Sequence, residues 1–262
     1  MKKGLDAYKI KIIALVFMLL DHVKTYLSYP TSAYLGWPKW PEFIGMITRF
    51  VSPLFLYLMI EGFYHTRSRK KYLSRLFVAG LIMMAGNVTI NFLFLNIKGH
   101  ADEIGYHSLR QGNNIFLTLA FMFGVVWCLE NLKARKDILR NSILLTVCIL
   151  LGILNEGGIV LLPVTLIIWF FRNKKSTMCL GILVFCLLLL LKALVSYNPN
   201  TVDSFYAYMC FDDQWAMAAV IPFILLYNGE RGKNTPFTKY MFYVIYPVHL
   251  WILMIARYMI MP

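Results

Sequence analysis

Apolar residues occur along this chain in nine blocks, separated by short polar or charged stretches. Most blocks approach the roughly 20 residues that an α-helix needs to cross the hydrocarbon core of a bilayer. The pattern therefore predicts nine membrane-spanning helices. Their predicted bounds are residues 10–29, 42–64, 74–96, 114–131, 139–154, 158–171, 177–197, 214–227 and 240–260.

The predicted fold class is all-α: a polytopic integral membrane helical bundle that forms one domain over residues 1–262. Only helices and closed barrels satisfy their backbone hydrogen bonds in lipid. The blocks are too long and too continuously apolar for the alternating strands of a barrel. The fifth and sixth blocks are short, so we expect them either to tilt differently or to form a hairpin that crosses part of the bilayer.

The composition supports a membrane protein and argues against a soluble enzyme. Of the 262 residues, 59% are hydrophobic and 15% are charged, whereas a soluble domain has about 25% charged residues. The five cysteines form no CxxC pair, and no cluster of His, Cys and carboxylates has the spacing of metal ligands. We therefore expect no metal cofactor.

The net charge of +13 is explained by topology. Lys and Arg cluster before the first block and after the second, fourth, sixth and eighth, and they are sparse in the intervening loops. Because cytoplasmic loops are enriched in Lys and Arg, the N-terminus is predicted to be cytoplasmic and the C-terminus outside. Nucleic-acid binding is not needed to explain the charge. The first block has no small-residue cleavage site, which favours an uncleaved helix over a signal peptide.

Four ionisable residues from three predicted helices lie at similar depth: Asp21, His22, Arg49 and His249. At 1.5 Å per residue, Asp21 and His22 lie roughly 17 Å from the cytoplasmic start of the first helix. By the same rise, Arg49 lies roughly 10 Å from the outer start of the second. Ionisable groups at such depth are costly and usually mark function. Asp21 and His22 point about 100° apart, so they can share a chamber but not one partner.

These four residues are the candidate catalytic groups. His22 is the candidate general base, because neutral imidazole accepts a proton near pH 7. Asp21 is expected to orient His22 or to pair with Arg49 or Lys24. Arg49 is expected to bind an anion or, like His249, a developing oxyanion. The alternative is structural: an Asp–Arg pair that joins two helices, with His249 in an ordinary interhelical hydrogen bond.

A group of polar and basic residues follows the second predicted helix and suggests a cytoplasmic mouth. Arg and Lys beside a channel suit the phosphates of a nucleotide such as coenzyme A, although the chain has neither GxGxxG nor GxxxxGK[ST]. The alternative is a set of helix-end charges that only determine topology. The candidate donor-binding residues are Glu61, His65, Arg67, Lys70, Lys71 and Arg75.

Several motifs, in order along nearly the whole chain, resemble the TraX family. The Asn155-Glu156-Gly157-Gly158 stretch departs from the acidic-Tyr-Gly type of turn expected there, which leaves the role of this loop open. The matching motifs are Lys11-Ile-Ile-Ala-Leu, Leu20-Asp21-His22, Arg49-Phe50, Pro53-Leu-Phe55, Glu61-Gly62-Phe63, His65-Thr66-Arg67, Lys71-Tyr72, Arg75-Leu76, Asn114-Ile-Phe-Leu-Thr118-Leu-Ala120, Lys239-Tyr240, Tyr243 and Tyr246-Pro247-Val-His249-Leu250.

The family is named for a pilin acetylase of conjugation systems and is distantly similar to membrane-bound acyltransferases. The resemblance implies a multi-pass protein of a bacterial-type cell membrane. It implies transfer of acetyl from cytoplasmic acetyl-CoA to an amine or hydroxyl of an envelope peptide, sugar or lipid-linked acceptor. His22, Arg49 and His249 match its motifs as the site, and Asn114, Thr118 and Tyr246 as acceptor contacts. Interhelical hydrogen bonds are the alternative role for Asn114 and Thr118.

Two other functions remain open. One is a proton-coupled transporter in which Asp21, Arg49 and His249 relay charge. An odd number of spans and the lack of a detectable internal repeat disfavour the two matching halves of many transporters. The other is a non-catalytic scaffold of an envelope or conjugation machine, in which the mid-membrane charges serve packing alone.

Overall fold

The computed structural model describes residues 4–99, 105, 113–199, 204–233 and 235–261. Within these ranges the regular structure is helical, apart from one isolated β-bridge between Leu5 and Tyr227. The helices are α1 (Ala7–Tyr34), α2 (Ile44–Thr48), α3 (Val51–His65), α4 (Arg69–Ile97), α5 (Ile115–Lys133), α6 (Ile138–Ile153), α7 (Gly158–Phe171), α8 (Lys175–Ser196), α9 (Phe205–Phe211), a 3₁₀ helix (Gln214–Val220), α10 (Ile221–Leu226) and α11 (Pro236–Ile260).

Capping side chains start three of the long helices before their apolar blocks begin. Asp6 accepts a hydrogen bond from the backbone N–H of Lys9 and caps α1, and Ser68 caps α4 in the same way. Thr235 caps α11 and forms a capping box with Thr238. Side-chain oxygens of this kind satisfy backbone donors that a helix start leaves unpaired. The hydrophobic pattern alone therefore predicts these helices to begin too late.

Within the described residues, five helical segments are long and apolar enough to cross a bilayer: Ile44–His65, α4, α5, α8 and Tyr240–Ile260. The bent pair of α9 with Gln214–Leu226, at 62°, makes a sixth if it is counted as one span. Helices α6 and α7 are apolar but have 16 and 14 residues. An all-helical protein with several apolar helices is confirmed, whereas the count of nine crossings stays a prediction.

Two predicted spans are interrupted. The segment predicted at 42–64 divides into α2 and α3 at Arg49–Phe50, and the segment predicted at 214–227 divides into the 3₁₀ helix and α10. Pro222 lies in the first turn of α10, where a missing N–H is tolerated. Helix α9 falls in a stretch predicted to be a loop, because seven residues between polar segments give no span-length signal.

Helices α3 and α5 form the centre of the bundle. Within their most apolar windows, 67% and 61% of residues are buried, compared with 28% for α4, α8 and α11. Tyr57, Phe63 and Phe123 are among the largest fully buried side chains. Helix α4 packs closely on α11 at Gly86, where a Cβ atom would collide with the Trp251 ring. Helices α1, α4 and α11 therefore surround a central α3–α5 layer.

Candidate active site

The two histidines predicted at mid-membrane depth form a hydrogen-bonded pair inside the bundle. Nδ1 of His22 lies 2.7 Å from Nε2 of His249, and the rings stack with 5.0 Å between centroids. Nδ1 of His249 lies 2.6 Å from the carbonyl oxygen of Ile245. His22 comes from α1 and His249 from α11, two long helices that pack together. The pair is therefore held on helical backbone rather than on loops.

The hydrogen bonds determine which nitrogens carry protons when the pair is neutral. A carbonyl oxygen only accepts, so Nδ1 of His249 carries a proton and its Nε2 keeps a lone pair. That lone pair accepts the Nδ1–H of His22, which leaves Nε2 of His22 unprotonated. Nε2 makes no hydrogen bond to any residue in the described ranges. The arrangement suits His22 to take a proton and His249 to orient it.

Tyr246 connects the histidine pair to α5. Its ring meets the imidazoles of His22 and His249 edge-on, at centroid distances of 6.0 and 5.8 Å. Its hydroxyl accepts the backbone N–H of Ile115 at 3.1 Å. Pro247 follows directly and lacks the N–H that an interior helical residue donates. The residue predicted as a substrate contact is thus also a packing partner of the pair.

A cavity of about 100 Å³ extends along α1 towards the histidine pair. Met18 and Tyr246 line it at the turn before His22 and His249, and Lys11 lines it about 10 Å further along α1. Most of its wall is aliphatic or aromatic. The lining residues are Lys11, Met18, Phe55, Leu58, Met59, Tyr72, Leu76, Ile115, Phe116, Leu119, Phe242, Tyr243 and Tyr246.

Asp21 faces away from its neighbour His22. Its Oδ1 accepts a hydrogen bond of 2.6 Å from the hydroxyl of Thr48 at the end of α2. Residues adjacent on a helix differ by about 100° in direction, so Asp21 meets α2 while His22 meets α11. The hydrogen bond that orients His22 in the described structure comes from His249 and not from Asp21.

Arg49 pairs with a carboxylate that the sequence analysis missed. Its Nη2 donates to Oδ2 of Asp213 at 2.7 Å. Asp213 is 1% exposed and precedes the 3₁₀ helix. The predicted Asp21–Arg49 pair is thus replaced, because Thr48 takes Asp21 and the α2–α3 break turns Arg49 towards Asp213. A carboxylate directly before an apolar segment was the signal that could have found this partner.

A second polar group lies beside the start of α5. The Asn113 side chain donates to Glu156 Oε1 at 2.7 Å and accepts from the Tyr26 hydroxyl at 3.2 Å. The backbone N–H of Asn114 donates to Glu156 Oε2. Burial raises the pKa of the Glu156 carboxyl, and the hydrogen bonds from Asn113 and Asn114 oppose this. Glu156 therefore ties the loop between α6 and α7 to the first turn of α5.

Asn114 and Thr118, the predicted acceptor contacts on α5, are used mainly within the protein. The Asn114 side chain donates to the carbonyl of Gly80 at 2.9 Å, and Thr118 donates to the carbonyl of Glu156 at 2.7 Å. Oδ1 of Asn114 is buried and accepts no hydrogen bond within the described residues. Of the polar atoms in these two side chains, Oδ1 of Asn114 is thus the one that remains available to another group.

The six predicted donor-binding residues lie at different distances from the cavity. Arg75 stacks over Tyr72, a lining residue, at 5.6 Å from its ring centroid. His65 bonds the carbonyl of Glu61 in its own helix at 2.8 Å. Among these six residues, all within the described ranges, only Arg75 has a cation–ring contact with a lining residue. Exposed side chains at this end of the bundle belong to His65, Arg67, Lys70 and Lys71.

Two further basic residues near the cavity are not among the predicted site residues: the sequence marks both as topology signals, and Lys11 also as part of a family motif. Lys11 lines the cavity, with its Nζ 5.7 Å from the centroid of the Phe242 ring. Arg231 lies within electrostatic range of Lys11 and of Tyr72. Their position in the first helix and in the last loop gave no sequence signal that they meet.

A histidine pair one helical turn from the lining of a cavity, inside an all-helical bundle with several apolar helices, is the architecture of a helical membrane-type protein with titratable groups in its interior. The chain belongs to the TraX family, whose model, described as "TraX protein", matches residues 7–257. A relative from Dichelobacter nodosus, named "Probable fimbrial assembly protein FimC, serogroup H1", is 26% identical over 271 residues, covering 98% of each chain. No solved structure matches this chain.

Proposed function

We propose that this protein is a membrane-embedded acetyltransferase that moves acetyl from cytoplasmic acetyl-CoA to an amine or hydroxyl of an envelope peptide, sugar or lipid-linked acceptor. The observation that carries the proposal is the His22–His249 hydrogen bond of 2.7 Å, which leaves Nε2 of His22 with a lone pair for a proton, one helical turn from the cavity residues Met18 and Tyr246. Membership of the TraX family and a relative named for fimbrial assembly support an acceptor in the envelope.

The proposal includes a topology of nine crossings in a bacterial cell membrane, with the N-terminus inside and the C-terminus outside. In its support, each of the nine predicted segments coincides with helix in the described chain. Lys and Arg alternate between the two sides as cytoplasmic enrichment requires. In this topology the Lys11 end of the cavity faces the cytoplasm, where acetyl-CoA is available.

The residues of the cavity fit a thioester donor. Its walls offer an apolar path for a thin acyl-thioester arm, and basic residues stand at its Lys11 end. Lys11 and His22 are separated by eleven residues, or about 16 Å along a helix. Phosphates at Lys11 and a thioester at His22 would thus be separated by the length of an extended arm.

The chemical step follows from the proton positions. The acceptor nitrogen or oxygen attacks the thioester carbonyl as Nε2 of His22 removes its proton, and the new C–N or C–O bond forms. The C–S bond then breaks, and the thiolate of coenzyme A takes the proton from His22. His249 holds the His22 ring and shares its positive charge through their hydrogen bond. Positioned bases of this kind contribute about 10²–10⁴ in rate.

Turnover of labelled acetyl-CoA by the purified protein, with membrane extract as acceptor, tests the proposal. We expect His22→Ala to lose turnover while remaining folded, with only the drop in thermal midpoint that truncation of a buried, hydrogen-bonded side chain causes. Thr165→Val is a matched control, since Thr165 is buried in α7 and bonds only its own helix at Leu161. Acetyl-independent proton or solute flux in liposomes would instead indicate a transporter. No acetyl transfer by wild type, together with unaltered envelope assembly in His22→Ala cells, would indicate a scaffold.

A further inference from the structure

Basic side chains gather at the end of the cavity opposite the histidine pair. Lys11 is on the cavity wall, and the charged neighbour that acts on it is another cation, Arg231. Arg75 and Arg231 both lie within electrostatic range of Tyr72, which also lines the cavity. Three cations from three parts of the chain therefore lie near the Lys11 end of the cavity.

Arg75 has an unused donor at this position. Its guanidinium stacks over Tyr72, and its Nε is buried and makes no hydrogen bond within the described residues. A buried donor without a partner is unfavourable by about 1–3 kcal/mol, so such atoms are usually satisfied by a ligand or by water. The planar guanidinium suits the oxygens of a phosphate group.

The loop that carries Arg231 is held by backbone hydrogen bonds to residues 5–7. The N–H of Leu5 donates to the carbonyl of Leu226 at 2.8 Å, and the N–H of Asn228 donates back to Leu5 at 3.0 Å. The N–H of Ala7 donates to the carbonyl of Glu230 at 2.9 Å. These bonds hold residues 226–230 against the segment around the start of α1, so the backbone next to Arg231 is fixed rather than left on a free loop.

The nearest carboxylates do not neutralise these cations. Asp6 caps α1 through Lys9 N–H at 2.8 Å and lies 3.8 Å from Nζ of Lys9. In the described residues no ion pair joins a carboxylate to Lys11, Arg75 or Arg231. Like charges held near one another beside a low-dielectric cavity repel one another, and a bound anion of multiple charge would relieve that repulsion.

We propose that Lys11, Arg75 and Arg231 form a binding site for a phosphate-bearing polyanion at the mouth of the cavity. The site is a property of the fold and is independent of catalysis; its assignment to the phosphates of the acetyl donor rests on the proposed function. The apolar cavity directly behind the cations favours a soluble nucleotide whose apolar arm enters the bundle. An anionic lipid headgroup offers the same phosphate chemistry and is distinguished below.

Binding of adenosine 3′,5′-bisphosphate to the full-length protein in neutral detergent tests the site by calorimetry. We expect saturable binding that weakens as salt increases, and Arg231→Gln should weaken it about ten- to hundredfold, as expected for loss of a charge-assisted hydrogen bond. Arg231 is exposed, so this variant should fold normally. The charge-matched control is Lys133→Gln, which changes an exposed basic residue at the end of α5 and should bind as wild type.

Three results overturn the proposal: no binding, equal binding by wild type and Arg231→Gln, or equal loss in Lys133→Gln. Bisphosphate binding in nanodiscs with an increasing fraction of phosphatidylglycerol distinguishes a nucleotide from a lipid headgroup as the source of the phosphate. Competition between lipid and bisphosphate at Arg231 assigns the phosphate site to both. Lipid binding without nucleotide binding overturns the nucleotide assignment. His22→Ala separates the two proposals, because it should bind bisphosphate normally. Normal binding by a wild type that transfers no acetyl would defeat the proposed function alone.

Discussion

Nε2 of His249 lies 2.7 Å from Nδ1 of His22, although 227 residues separate the two in the chain. Because His249 donates its Nδ1–H to the carbonyl of Ile245, the neutral pair has one consistent assignment of protons. His22 is left with its lone pair on Nε2. The functional consequences of this contact can be tested by substitution and by pH.

The first prediction concerns the two histidines. We expect His22→Ala to lower the acetyl-transfer rate by about 10²–10⁴-fold. His249→Leu should also reduce kcat, whereas His249→Gln should retain more activity, because its amide oxygen can accept the Nδ1–H of His22. Single-turnover rates with labelled acetyl-CoA measure this order. Equal rates for His249→Gln and His249→Leu would contradict a positioning role for His249.

The second prediction concerns pH. A proton on Nε2 of His22 removes the lone pair that the base needs. The rate should therefore fall as the pH is lowered, and it should reach a plateau at higher pH, where Nε2 is unprotonated. The measurement is a pH profile of kcat in wild type and His249→Gln. We expect the acid limb to move in the variant, because the hydrogen-bond partner of His22 has changed. An identical limb would show that the hydrogen bond does not influence proton uptake.

The third prediction compares two ion pairs of the same length. Both Arg49–Asp213 and Lys192–Asp212 measure 2.7 Å, but the side chains are 33% and 1% exposed in the first pair and 61% and 14% in the second. A double-mutant cycle to Ala should give a coupling energy of about 0.5–3 kcal/mol for Arg49–Asp213. The exposed pair should give about 0–1 kcal/mol. Thermal or denaturant unfolding in detergent measures both, and equal couplings would contradict the role of burial.

The fourth prediction concerns the close approach of α4 and α11. Gly86→Ala places a methyl group against the Trp251 ring, whose Nε1 donates to Asn87 at 3.1 Å. Overpacking of this kind destabilises by about 1–3 kcal/mol. Trp251→Phe should make room, so Gly86→Ala should cost less in that background. Unfolding midpoints of the four proteins test this, and additive effects would exclude a direct collision.

The fifth prediction concerns Glu156 and pH. Glu156→Gln keeps one acceptor oxygen but replaces the other with an NH₂ group, which faces the N–H donor of Asn113 or Asn114. The variant should therefore destabilise the folded protein by about 1–2 kcal/mol. Burial raises the pKa of Glu156. A carboxyl whose pKa is raised by folding stabilises the protein below its unfolded pKa, and that contribution is lost as pH rises through the folded pKa.

The stability difference between wild type and Glu156→Gln should therefore be largest in acid and shrink as pH increases. Unfolding midpoints of both proteins between mildly acidic and neutral pH measure it. A difference that grows with pH would mean that the hydrogen bonds from Asn113 and Asn114 outweigh burial.

The sequence predicts the helices well because most of the apolar blocks are long. It also predicts that His22 and His249 lie at similar depth, from one rise per residue, and the structure brings the two into contact. It cannot predict rotation about each helix, which decides that Asp21 meets Thr48 while His22 meets His249. Nor does it predict Asp213 as the partner of Arg49, because that contact depends on how the broken segments fold back.

The sequence predicts a basic cytoplasmic mouth that includes Arg75, but it does not predict that Lys11 and Arg231 lie near it. Lys11 and Arg231 belong to clusters that topology explains by itself. Their proximity depends on backbone bonds between residues 5–7 and residues 226–230. In the sequence of a membrane protein, basic residues that determine topology look the same as basic residues that bind an anion. Only tertiary contacts distinguish the two.

The backbone bonds between Leu5 and residues 226–228 have a consequence for biosynthesis. The first helix leaves the ribosome more than two hundred residues before the segment that holds it. Neither the basic mouth nor the histidine pair can assemble on a nascent chain that lacks its last two helices. A prematurely terminated product would insert into the membrane yet remain inert.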